Sequence, residues 1–118
     1  MTDVTILHNP RCSKSRQTLA LLEEKGVSPT IIEYLKTPLS EEELKAVFKK
    51  LNIESVRQMM RIKEQEYKEA HLADPSIEEK RLFNAMAETP KLIERPIVIC
   101  GDKARIGRPP ENVLDILS

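Results

Sequence analysis

The opening of this sequence constrains the fold more than any other part of it. Residues 3–7 have the branched and apolar content of a short buried strand, and Asn9-Pro10 ends that strand with a turn signal. After Cys12, Leu19 and Leu22 fall at helical spacing among good helix formers, and Gly26 supplies a stop. Residues 30–35 then begin with β-branched side chains and have the length of a second strand. With the helix as crossover the two strands form a βαβ unit, and Cys12 falls where a strand hands over to a helix.

The remainder extends this unit. Ser40-x-x-Glu43 is a capping box, and Leu44, Val47, Phe48 and Leu51 follow as an amphipathic stripe. Residues 55–70 and 76–87 are also helical in pattern, the second with a capping box at Ser76-x-x-Glu79 and apolar Leu82, Phe83 and Met86. Residues 97–100 and 103–106 flank Gly101-Asp102, a two-residue turn suited to a tight antiparallel hairpin. Pro110 then stands near the first turn of a last helix carrying Val113, Leu114 and Leu117. A βαβ followed by a ββα predicts an α/β protein of thioredoxin-like fold, with a helical insertion at about residues 40–88. At 118 residues, the whole of 1–118 is expected to be one domain.

Composition narrows the function classes. Nineteen Lys and Arg balance nineteen Asp and Glu, so the overall charge gives no reason to expect nucleic acid or an anionic membrane as partner. The longest apolar runs, 19–22 and 97–100, fall far short of the ~20 residues of a membrane helix. The N-terminus has no secretory pattern, and a cytoplasmic location is expected. Cys12 and Cys100 form neither a CxxC nor a metal-ligand spacing, which argues against a disulfide scaffold and against a metal site.

The two cysteines read differently. A helix N-terminus favours an anion, and Arg11, Lys14, Arg16 and His8 surround Cys12 in a stretch, residues 4–22, without one acidic side chain. Those conditions turn a thiol into a nucleophile at neutral pH, and polar neighbours make a poor burial site. Cys100 ends the apolar run of a buried strand and reads as packing. Ser15 stands three residues after Cys12, where a dithiol enzyme would carry its second cysteine, so the site is monothiol and needs an external thiol. A phosphatase loop of the C-x5-R type is excluded, because Thr18 occupies the arginine position. A second acid-free stretch, residues 103–110, carries Lys103, Arg105 and Arg108.

At His8-Asn9-Pro10-Arg11-Cys12-Ser13-Lys14-Ser15-Arg16 the sequence resembles the ArsC family, the glutaredoxin-coupled arsenate reductases of bacteria, and in particular its short YfgD-like members. Blocks at residues 29–35, 55–61, 94–98 and 107–117 extend the resemblance over essentially the whole chain. It implies a thioredoxin-like fold in which Cys12 attacks the arsenic of arsenate to form a thioarsenate. Glutathione, as co-substrate, and glutaredoxin then complete the reduction to arsenite, with no bound cofactor. By position, Arg61, Arg95 and Arg108 would bind the oxyanion, His8 and Ser15 would stabilise the thiolate, and Pro96 would be the cis-proline of the fold. Planar guanidinium forks suit a tetrahedral oxyanion, although Arg57 and Arg105 offer the same chemistry nearby. Two other functions use the same scaffold: a glutathione-dependent thiol transferase, which needs Cys12 but no arginine trio, and a Spx-like regulator that binds RNA polymerase. The regulators carry a CxxC switch, which Ser15 removes here.

Overall fold

The computed structural model describes residues 3–117. Strand β1 (Val4–Leu7) leads into helix α1 (Ser13–Glu24), and β2 (Thr30–Ile32) returns parallel to β1, pairing Thr5 with Thr30 and Leu7 with Ile32. Helix α1 ends as its glycine requires. Gly26 adopts φ 79°, its N–H donates to Glu23 O and that of Val27 to Leu22 O, so the last carbonyls of the helix are satisfied. β2 is shorter than its apolar run suggests, because the Lys36 and Thr37 N–H groups both turn back to Glu33 O. Strands β3 (Ile97–Cys100) and β4 (Lys103–Ile106) form the expected hairpin, with Gly101 at φ 63° in the two-residue turn. β3 lies antiparallel to β1, and the sheet order is β2-β1-β3-β4. A parallel βαβ joined edge to edge with an antiparallel hairpin is the thioredoxin-like arrangement.

Alternation along the strands sends side chains to two cores. Ile6 and Val98 are fully buried with Leu22 of α1 and with Val113 and Ile116 of the C-terminal segment. On the other face Leu7, Ile97 and Ala104 pack against the helical block. In that block α2 (Glu41–Leu51) is capped as expected: Ser40 Oγ accepts from Glu43 N–H at 3.1 Å, and Glu43 Oε1 accepts from Ser40 N–H at 2.9 Å. Phe48 of α2 meets Phe83 edge to face, with ring centroids 5.8 Å apart.

Three helical expectations are corrected. Residues 55–70 do not form one helix. A single 3-10 turn, Val56–Met59, gives way to an extended Met60 and Arg61, and a turn closed by Glu64 N–H on Arg61 O precedes the short α3 (Gln65–Glu69). The reason is tertiary: Met60 bridges to Ile93, Arg61 N–H donates to Leu92 O at 2.7 Å and Glu94 N–H to Met59 O at 2.8 Å, so the backbone bonds go to another segment. Helix α4 (Glu79–Glu88) starts at Glu78 rather than Ser76, because the Ser76 hydroxyl donates instead to Asp74 Oδ1 at 2.7 Å. The last segment, Pro110–Ile116, is a 3-10 helix, with Pro110 in its first turn.

Candidate active site

Cys12 is the N-cap residue of α1, in extended conformation, at the end of a loop held by its own short-range bonds. Cys12 N–H donates to Asn9 O at 3.0 Å, and Arg11 N–H to Asn9 Oδ1 at 3.0 Å. Behind the loop, Ser15 Oγ accepts from Asn9 N–H at 3.0 Å and lies 2.7 Å from His8 Nδ1. Ser15 is wholly buried and His8 almost so. Burial lowers the His8 pKa from its ordinary 6.5, against the opposing charge of Glu33, so the ring is neutral at pH 7. These two side chains therefore brace the loop. What reaches the sulfur from Ser15 is its backbone N–H.

For the Cys12 thiol, partial burial alone raises the pKa. The Ser15 backbone N–H, the Arg95 charge, the Lys14 backbone N–H and the Arg108 charge all act the other way, and together they hold it below the ordinary thiol value. Arg108 makes the direct contact, with Nη2 3.7 Å from Cys12 Sγ. Its Nε donates to Arg95 O at 2.8 Å and lies 3.3 Å from Glu94 Oε1. Glu94 Oε1 also takes Arg95 Nη1 at 3.3 Å and Arg95 N–H at 3.2 Å. Arg61 joins from the segment after the 3-10 turn, paired with Glu64 at 2.6 Å. The three arginines, with Lys63, Glu64 and Glu94, line one cleft of about 330 Å³.

The expected arginines thus converge, and their two neighbours do not. Arg57 is consumed structurally: it donates to Tyr67 Oη at 3.1 Å, to Leu72 O at 2.7 Å and to Asp74 O at 2.9 Å. Arg105 turns to Ala104 O at 2.8 Å and lines an adjoining cleft that shares Glu94 and Arg108 with the first but not Arg61 or Arg95. The Arg95–Pro96 peptide bond is cis as expected, and so is Arg108–Pro109. Cys100 pairs with Val4 at the far end of β1 from the Cys12 loop and packs against the Ile6–Val98 core.

Arg108 is delivered by a close approach of three segments. A Cβ on Gly107 would stand 2.6 Å from Thr18 Oγ1 and 2.9 Å from Pro96 Cγ, so only glycine lets β4, α1 and the Pro96 turn meet there. Gly107 N–H donates to Pro96 O at 2.9 Å, fixing the residue next to Arg108.

The model of the ArsC family matches residues 7–116. The chain belongs to the ArsC family. Among ArsC relatives, it is 57% identical over 114 residues to a Haemophilus influenzae protein named arsenate reductase, covering 97% of this chain and 98% of that one. It is 55% identical over 114 residues to Escherichia coli YfgD, covering 97% and 96% of the two chains. A solved structure titled arsenate reductase from Vibrio cholerae superimposes with a TM-score of 0.97 at 58% identity and covers 98% of each chain.

Within this ArsC chain the geometry adds two residues that sequence reasoning did not single out. Glu94 sits between Arg95 and Arg108, and nothing but its position beside the Arg-Pro pair could have marked it. Tyr34 is buried close to the site. Burial pushes its phenol up to about 12, with Arg95 and Arg61 pulling down and Cys12 pushing further up, so it stays a neutral hydroxyl. Its place just past a strand of the βαβ unit was the available signal.

Proposed function

We propose that this chain is an arsenate reductase that draws its electrons from glutathione and glutaredoxin. The reading rests foremost on one contact, the Arg108 guanidinium 3.7 Å from Cys12 Sγ, with Arg95 and Arg61 beside it in the same cleft. It is supported by the relatives named arsenate reductase. The Cys12 thiolate attacks arsenic, an As–O bond breaks, and the oxygen leaves as water once protonated. Arg61, Arg95 and Arg108 hold the remaining oxygens and the charge that develops on them. Glutathione sulfur then replaces a second oxygen on arsenic. A glutaredoxin thiolate attacks that glutathione sulfur, and the electron pair of the broken S–As bond stays on arsenic, reducing it from As(V) to As(III). Water displaces Cys12, which returns as a thiol while arsenite departs. A second glutathione frees glutaredoxin as glutathione disulfide forms, so two thiols supply the two electrons.

In this scheme His8 and Ser15 act by holding the loop that presents the Cys12 sulfur. We place the reaction in the cytoplasm, where reduced thiols are maintained. The test is NADPH consumption coupled through glutathione reductase, with glutathione and glutaredoxin, with and without arsenate. Arsenate-dependent consumption by the native protein that Cys12→Ser lacks is the expected result. Consumption by both, regardless of arsenate, refutes the proposal.

A further inference from the structure

A cleft built to take an oxyanion already holds a carboxylate. Glu94 Oε1 lies 3.3 Å from both Arg95 Nη1 and Arg108 Nε, and it accepts the Arg95 backbone N–H at 3.2 Å. Its position is fixed by the backbone rather than by the arginines. Glu94 N–H donates to Met59 O beside the Met60–Ile93 bridge, and the flanking Ile93 is fully buried. Arg108 Nε is shared between Glu94 and Arg95 O, which leaves its Nη2 directed at Cys12 Sγ.

Two physical consequences follow. One edge of the Arg108 guanidinium is held, so the other is oriented before any substrate arrives. In addition, part of the positive charge that an incoming dianion would meet is already neutralised, which weakens binding of every such anion by a similar amount. That includes phosphate, which matches arsenate in charge and shape. Weakening that acts equally on ground and transition states raises KM and leaves kcat unchanged.

Resting on the oxyanion-site reading above, we propose that Glu94 is a positioning and charge-limiting residue of the arginine clamp: it aligns Arg108 on Cys12 and keeps phosphate from occupying the cleft tightly. The experiment uses phosphate as probe and alkylation of Cys12 by iodoacetamide as readout, since an anion held at the Arg108 edge that faces Cys12 Sγ would shield the sulfur. Glu94→Gln removes the charge and keeps an oxygen that can accept from Arg95. It is expected to lower the phosphate concentration that half-protects Cys12 by about three- to tenfold. Glu94→Asp retains the charge and is expected to stay within about twofold of the native protein. KM for arsenate should fall in Glu94→Gln by the same factor as the phosphate value, with kcat not raised. Unchanged or weaker phosphate protection in Glu94→Gln, or equal tightening in Glu94→Gln and Glu94→Asp, overturns the inference. So does phosphate that protects Cys12 in neither the native protein nor Glu94→Gln. Protection needs no turnover, so a chain that binds phosphate as expected but reduces no arsenate would refute the proposed activity and leave the role of Glu94 standing.

Discussion

The loop that carries Cys12 and the clamp that faces it are assembled on different scales. Side-chain hydrogen bonds shaping the loop connect Ser15 to Asn9, Arg11 to Asn9, Ser15 to His8 and Arg16 to Pro10, spans of two to seven positions. The clamp gathers Arg61, Glu94-Arg95 and Arg108 from separate segments, and Arg108 reaches Cys12 across 96 positions. A local device tolerates changes elsewhere in the chain. A device assembled from distant segments fails wherever one of its supports moves.

Replacement of the sulfur should separate the two devices most sharply. Cys12→Ser is expected to lower arsenate-dependent turnover by at least about 10³-fold while the far-ultraviolet circular dichroism spectrum is unchanged. Arg108→Ala comes next, with kcat/KM for arsenate lower by about 10²–10³-fold and the pH midpoint of Cys12 alkylation raised. Arg108→Lys should not restore the activity, because a lysine cannot hold the Nε edge and direct a second nitrogen at once. Loss of arsenate turnover with glutathione-dependent disulfide reduction intact would separate reductase from thiol transferase. Loss of both together would show that the clamp serves the thiol rather than the oxyanion.

Smaller effects test the supports. Gly107→Ala forces a methyl against Thr18 and Pro96 and is expected to cost about 1–3 kcal/mol in denaturant unfolding. Arsenate turnover should suffer beyond the stability loss, since Arg108 is the next residue. Ser15→Ala strands the Asn9 N–H and the His8 ring and should cost about 1–2 kcal/mol, yet move the Cys12 alkylation midpoint little, because the bond to sulfur comes from the Ser15 backbone. The smallest effect is a pH dependence. His8 titrates lower folded than its ordinary 6.5, so below that pH the unfolded chain binds more protons and stability falls as pH falls; above 6.5 the contribution is complete. Melting temperatures at pH 7 and pH 5, compared between the native protein and His8→Gln, read this directly, and equal slopes would count against it.

The same difference of scale decides what could be read in advance. The place of Cys12 at the start of α1 and the Ser40 capping box are statements about neighbours in sequence, and the structure carries both, but the charges that lower the Cys12 pKa come from distant Arg95 and Arg108 rather than from the adjacent Arg11, Lys14 and Arg16. The fold class also followed from the order of elements, because a βαβ and a hairpin leave few ways to share one sheet. Residues 55–70 were misread for the opposite reason: Met59, Met60 and Ile62 satisfy a helical pattern, but the backbone around Met60 pairs with residues 92–94, which no local pattern records. The same pairing carries Arg61 to the cleft and holds Glu94 in place. Arg61 and Arg57 were therefore indistinguishable by chemistry alone, and only assembly shows Arg57 tied to Leu72 and Asp74.

The separation of the two sulfurs has its own consequence. Cys100 pairs with Val4, at the opposite end of the sheet from the Cys12 loop, and the position one helical turn past Cys12 holds a hydroxyl sealed from solvent. Cys12 therefore has no second thiol of this chain beside it. In the proposed reaction, whatever becomes bonded to the Cys12 sulfur has no neighbouring thiol of this chain to displace it and waits for a molecule from outside.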